Sequence, residues 1–209
     1  MINLSTNTFV SLPRAVRAHC IRTSVYARMI AEQTDKFCQQ YDKEMLNDML
    51  SAIMDGGLYH DIGKILISNS ILQKEGELSD IESEVFRCHP LKTEEILLQN
   101  LERSGENAEY KQIVIEMGKY HHERYDGEGY PFGLSGDEIP LPAQICSIAN
   151  TFERLLSVQN NKKSKQMNTV EQSIVDCSGS KFDPYIVDCF LKAVPKMNDL
   201  NDRTQKRKK

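Results

Sequence analysis

The 209-residue sequence predicts an all-α fold: a helical bundle with a short irregular loop and at most a minor hairpin in residues 125 to 140. Three observations predict it. Apolar residues recur at helical spacing through most of the chain, capping residues and prolines stand where those runs begin, and no convincing alternating strand pattern is present.

Residues 1 to 10 form a polar N-terminal segment too short to be a sensory module. Ser11 is a candidate cap with Pro13 in the first turn of a helix, and Val16, Cys20, Val25 and Met29 mark its apolar face through about Phe37, with His19 on board. A second helix opens near Asp42 and carries Met45, Leu46, Met49, Leu50 and Ile53 inward. Gly56-Gly57 then precedes His60-Asp61, where the helix either bends or packs too closely for side chains, because a mid-helix glycine costs about 1 kcal/mol against alanine. Residues 65 to 78 read as a loop, and Ser79-Asp80-Ile81-Glu82 has the form of a capping box. The helix it opens runs through Val85 and Phe86 and delivers His89 at its end, where Pro90 stops it and starts the next. Tyr110, Ile113, Val114, Met117 and His121 repeat with helical spacing, so the His121-His122 pair terminates an amphipathic helix. Asp126, Gly127 and Gly129 suit turns, after which Tyr130-Pro131 forms a lid. Pro140 or Pro142 starts a helix with the inward stripe Ile145, Ile148, Phe152, Leu155 and Leu156. Two short helices follow, the second capped by Asp183 with Pro184 in its first turn and Ile186, Val187, Phe190 and Leu191 completing the core.

The absence of a long Gly/Ser/Pro linker predicts one domain over 11–197, followed by a basic, disordered tail over 198–209 that ends in Lys206-Arg207-Lys208-Lys209. The longest apolar runs fall well short of the ~20 residues of a membrane span, and no basic-then-apolar leader is present, so a soluble, cytoplasmic protein with no membrane partner is expected. Six cysteines without CxxC spacing read as reduced, buried small hydrophobes, with Cys88 singled out because it adjoins His89. A formal charge of -4 disfavours nucleic acid as a partner.

The chemistry resides in the histidines. An isolated His-His pair reads most simply as one core and one surface histidine, since neighbours on a helix point about 100° apart. Here the other three histidines, His19, His60 and His89, also lie in helical stretches, and His60 adjoins Asp61. Imidazole and carboxylate together suit borderline divalent metals such as iron, manganese, zinc or nickel, and an aspartate can bridge two ions through its two oxygens. Lys64 follows His60 by four residues and Asp61 by three and so shares their face. It is either a solvated lysine or a point charge for a substrate phosphate. Tyr130 either packs inward or offers its ring to a base or its hydroxyl to a phosphate.

Three blocks together, His60-Asp61-Ile62-Gly63-Lys64 running on to Leu78, His89-Pro90, and His121 to Pro131 followed by Gly133 to Pro140, resemble the HD-GYP domain. That is the branch of the HD phosphohydrolase superfamily that hydrolyses the bacterial second messenger cyclic di-GMP. The resemblance spans about His19 to Phe190. It implies two divalent cations, iron or manganese first and zinc or nickel next. Asp61 would bridge them, His89, His121 and His122 would complete one site, and His19, His60 and Asn150 the other. A hydroxide bridging the pair would attack the phosphodiester in line, giving pGpG and/or GMP, while Lys64 neutralises the developing charge.

This sequence departs from the family pattern in four places. Ala15 stands where a glutamate often adds a ligand for a third metal. Asn150 replaces the metal-binding aspartate of an Ala-Asp pair, and Glu153 replaces another aspartate. The usual arginine-containing segment is absent, leaving Lys162, Lys163 and Lys165 as phosphate contacts. These departures keep open a catalytically degenerate module that binds a cyclic dinucleotide or a partner protein and signals without turnover. A different HD phosphohydrolase acting on another nucleotide is disfavoured by the Gly-Tyr-Pro loop.

Overall fold

The computed structural model describes residues 6–161 and 167–206. Eleven α-helices occur among them: α1 (Thr6–Val10), α2 (Arg14–Ala31), α3 (Asp35–Cys38), α4 (Lys43–Tyr59), α5 (Asn69–Leu72), α6 (Asp80–Arg87), α7 (His89–Leu101), α8 (Ala108–Tyr120), α9 (Leu141–Asn161), α10 (Met167–Val175) and α11 (Pro184–Lys206). Two 3₁₀ turns, Ile62–Leu66 and Gly136–Glu138, complete the regular structure. No strand is present among the described residues. The only pairing near the expected hairpin is an isolated antiparallel bridge between Asp126 and Ser135. No helix among the described residues is long and apolar enough to cross a membrane.

Helices α2, α4, α8 and α9 form a ring in which each packs on its two neighbours, with α7 against α8, and α11 against α2 and α9. Tyr26, Phe152 and Phe190 link α2, α9 and α11 edge to face, with ring centroids 5.2 and 5.1 Å apart. The Gly56-Gly57 question resolves as close packing, since α4 runs unbroken to Tyr59. A Cβ on Gly56 would stand 2.3 Å from the Met117 sulfur, and one on Gly57 would stand 2.7 Å from the Ser24 Cα. Glycine therefore lets α8 and α2 approach α4 from both sides, which sets the spacing of the histidines those helices carry.

Caps at Asp42 and Ser79 form where the sequence predicts helix starts, Ser79 with Glu82 completing the capping box, and the structure adds a cap at Asn107 for α8; each side chain accepts backbone N–H bonds. Other expectations need correction. Pro13 rather than Ser11 occupies the N-cap of α2, without a side-chain cap bond, and α2 stops at Ala31. Its buried face is Cys20, Thr23, Ser24, Tyr26, Ala27, Ile30 and Ala31, while Val16, Val25 and Met29 are half-buried. Packing against both α4 and α9 demands a broader face than one apolar stripe. The 65–78 stretch contains the end of the first 3₁₀ turn and α5, and His89 begins α7 rather than ending α6. The last helix is long, not short. α11 continues past Pro195 to Lys206, beyond where the tail was expected to begin, and Tyr26 donates to Asn201 at 2.6 Å. Leu191 is 40% exposed rather than in the core.

Candidate metal centre

Asp61 stands at the junction of α4 and the following 3₁₀ turn, with its carboxylate 1% exposed. Its two oxygens face different histidines. Oδ1 lies 3.2 Å from His89 Nε2 and 3.7 Å from His121 Nε2, while Oδ2 lies 3.4 Å from His60 Nε2 and 3.9 Å from His19 Nε2. His122 joins the first group, with Nε2 3.2 Å from His89 Nε2. Asp61, His89, His121 and His122 thus converge as one candidate ligand set, and His19, His60 and Asp61 as a second, each with its ligand atoms within 4.8 Å of one another.

Local backbone geometry explains why three imidazoles present Nε2. A helix leaves its last carbonyls without intrahelical partners. His60 caps α4 and its Nδ1 reaches the Gly57 carbonyl at 2.8 Å; His121 caps α8 and reaches Met117 and Gly118 at 3.1 and 3.0 Å. His89, just past the end of α6, reaches the Phe86 carbonyl at 2.7 Å. Each bond places the ring proton on Nδ1 and leaves a lone pair on Nε2. His19 lies within α2, and its Nδ1 contacts the Glu153 carboxylate instead.

Thr93 on α7 ties these elements together. Its hydroxyl donates to the His60 carbonyl at 3.1 Å and accepts from the Gly63 N–H at 2.9 Å. Gly118 permits that closeness, since a Cβ there would stand 2.5 Å from the Thr93 methyl.

The protonation states suit metal ligation. Burial pushes the His60, His121 and His122 imidazoles below their ordinary range, His60 and His122 well below, and neighbouring histidines add to the effect. Burial would raise the Asp61 carboxyl, but the Lys64 ammonium first, and then the adjoining His60, hold it well below the usual carboxylate range. Neutral imidazoles around an ionised carboxylate are the forms that bind a cation. His60 Nε2, His121 Nε2 and Asp61 Oδ1 are buried without hydrogen-bond partners, as is Asn150 Oδ1 on α9. Orphaned acceptors at this density are costly unless a cation satisfies them, so the residues present fit divalent metal.

Lys64 Nζ lies 2.5 Å from Asp61 Oδ2 and 5.3 Å from the Phe86 ring centroid, so the solvated alternative does not hold. Tyr130 packs inward, its ring stacked on His122 at 4.6 Å with an interplanar angle of 15°. The Arg87 guanidinium also lies over that ring, 4.6 Å from its centroid. Two groups at that distance require opposite faces, so base stacking on Tyr130 would require Arg87 to move. Lys162, Lys163 and Lys165 lie outside the described residues. Cys88 is exposed and free.

Several organising residues had no motif to announce them. Glu123, 2% exposed, accepts from the N–H groups of Phe132 at 2.8 Å and Leu134 at 3.0 Å and so pins the 123–140 loop from within. Thr93 and Arg87 likewise carry no sequence signal as parts of the site, and the sequence singles out Glu153 only as a departure from the family pattern. Glu153 left one usable signal, an acidic residue one turn beyond Asn150 on the inward side of α9.

An all-helical ring that brings five histidines and a buried aspartate together defines the class, helical proteins with a candidate dinuclear metal centre. Comparison with known proteins agrees. The family profile described as HD domain matches residues 10–186. The chain belongs to the HD domain family, and its ordered motifs are those of the HD-GYP branch. It is 33% identical over 174 residues to a cyclic di-GMP phosphodiesterase of Vibrio cholerae, covering 83% of this chain and 35% of that protein. It is 39% identical over 133 residues to the cyclic di-GMP phosphodiesterase response regulator RpfG of Xanthomonas campestris, covering 64% of this chain and 34% of that protein. The chain therefore spans about a third of the length of these relatives. Among solved structures, the V. cholerae cyclic GMP-AMP specific phosphodiesterase V-cGAP3 shares the fold with a TM-score of 0.59 at 20% identity, over 98% of this chain and 52% of that one.

Proposed function

We propose that this helical domain is a metal-dependent phosphodiesterase that hydrolyses cyclic di-GMP to pGpG and/or GMP. One observation carries the reading: the Asp61 carboxylate directs one oxygen to His89 and His121 and the other to His19 and His60. His89, His121, His122 and Asp61 would hold one cation, and His19, His60 and Asp61 a second, with iron or manganese preferred. When bound, such cations supply Lewis acidity toward a phosphoryl oxygen and lower the pKa of water. The names of the V. cholerae and X. campestris relatives support cyclic di-GMP as substrate.

The chain's own groups account for the rest. Lys64 neutralises Asp61 and, once a phosphate approaches, is placed to turn its ammonium toward it. Tyr130 shields His122 from solvent and fixes its ring, and Arg87 offers guanidinium N–H groups for a phosphate beside it.

Asn150 favours one second reading, a receptor that binds cyclic dinucleotide or a partner protein without turnover, since an amide lends a cation no charge. Elemental analysis combined with chromatographic detection of product from cyclic di-GMP separates the two, with 3'3'-cyclic GMP-AMP run in parallel. Turnover that is metal-dependent and lost in His121→Ala supports the enzyme. Binding without product in any of several divalent metals supports the receptor, and neither binding nor product overturns both.

A further inference from the structure

His60, His89 and His121 each sit at or just beyond a helix end, where a backbone carbonyl of the last turn takes the Nδ1 proton. His19 cannot use that device. It lies inside α2, whose carbonyls are bonded within the helix, so its outer nitrogen needs a side-chain acceptor. Glu153 provides it across the α2–α9 interface. The carboxylate is 2% exposed, with Oε2 on His19 Nδ1 and Oε1 accepting from Arg22 Nε at 2.6 Å and Ser157 Oγ at 2.6 Å. Arg22 and Ser157 fix the carboxylate so that it cannot rotate away, while His19 Nε2 remains directed at Asp61 Oδ2.

We propose that Glu153 is the positioning residue that holds His19 in its Nδ1–H tautomer and supplies, from behind the imidazole, the anionic charge that Asn150 does not supply. The inference rests on the two-cation reading above. A carboxylate hydrogen-bonded behind a ligating histidine fixes the ring and raises its basicity, and loss of such a partner weakens metal binding 10- to 100-fold. Asn150 and Glu153 are three residues apart on α9, with both side chains buried, so with an amide at 150 the carboxylate one helical turn away is the negative charge that α9 keeps beside this site.

The test compares the unaltered chain with Glu153→Gln, Asn150→Asp and the double variant by Mn²⁺ calorimetry and elemental analysis after dialysis. Long-range ¹H–¹⁵N spectra of the metal-free proteins report the His19 tautomer and the state of the fold. The expected result is a tight and a weaker site in the unaltered chain. Glu153→Gln should weaken the second site about 10- to 100-fold, spare the first, and lose the Nδ1–H signature of His19. Asn150→Asp should restore the second site when combined with Glu153→Gln, which a purely structural role for Glu153 beside Arg22 and Ser157 would not permit. Two bound ions with unchanged affinities in Glu153→Gln, an unchanged His19 tautomer, or no rescue in the double variant overturns the inference while leaving the two-cation reading intact. An unaltered protein that takes up no metal overturns that reading, and this inference with it.

Discussion

Gly63 lies against His89 so closely that a Cβ at position 63 would stand 2.2 Å from the His89 carbonyl oxygen and 2.6 Å from the Thr93 nitrogen. The contact locks the turn that follows Asp61 onto the start of α7, and it fixes how far His89 stands from the carboxylate. Gly63→Ala should therefore cost about 1–3 kcal/mol of stability through overpacking and displace His89 from Asp61. Thermal melts with and without Mn²⁺ check this: a lower melting temperature and a smaller metal-induced rise are expected. An unchanged pair of melts would show that the turn gives way freely.

Thr93→Val keeps the shape but removes the hydroxyl that serves both the His60 carbonyl and the Gly63 N–H. Leaving those buried groups unpaired should cost about 1–3 kcal/mol. Denaturant unfolding of the metal-free protein reads that loss directly, and a change below a few tenths of a kcal/mol would rule it out.

Asn150→Asp introduces a carboxylate where an orphaned amide oxygen is now buried. Attraction between a carboxylate and a divalent ion at coordination distance is large even after screening, so affinity at the second site should rise by orders of magnitude. Bound metal should approach two ions per chain, and turnover of cyclic di-GMP at limiting metal should increase, whereas His121→Ala abolishes both. Equal occupancy and rate in Asn150→Asp and the unaltered chain would contradict it.

The buried histidines set an acid limit on the metal-free fold. His60, His121 and His122 have folded pKa values below the ordinary 6.5 because burial disfavours their charged forms. The unfolded chain therefore binds more protons, and stability is full above about pH 6.5 and falls as pH drops toward the lower folded values. Asp61, also depressed, acts in the same direction only below about its ordinary 3.8. A pH series of melts from 7.5 to 4.5 should show a steady decline beginning near 6.5, and a flat profile would be incompatible with neutral buried imidazoles.

Arg87 touches the Tyr130 ring and, among the described residues, pairs with no carboxylate. Arg87→Ala should raise KM for cyclic di-GMP by several-fold, in keeping with loss of one charge-assisted phosphate contact of about 1.5–3 kcal/mol partly screened at the surface. Bound metal should stay constant, because Arg87 contacts no candidate ligand. Steady-state kinetics beside elemental analysis separate the two effects, and a fall in metal content would reassign Arg87 to support of the metal site.

Much of the molecule was legible in the sequence because it depends on local chemistry. Apolar spacing, the caps at Asp42 and Ser79, and the Pro at the start of α7 are short-range signals that mark helix positions without knowledge of neighbours. The His60-Asp61 and His121-His122 pairs named the candidate ligands for the same reason: residue type alone limits which side chains can bind a borderline cation. Tertiary structure decided the relationships between distant segments. Whether Gly56-Gly57 meant a bend or close packing depended on Met117 and Ser24, which no local pattern identifies. Which Asp61 oxygen faces which histidine, that Glu153 stands 134 residues from His19 yet behind its ring, and that Arg87 and His122 enclose Tyr130 all follow from how the ring of α2, α4, α8 and α9 packs with α6, α7 and the loop after α8. The helices were written one by one in the sequence, but a carboxylate chooses its partner only when packing has removed water and left one acceptor within reach.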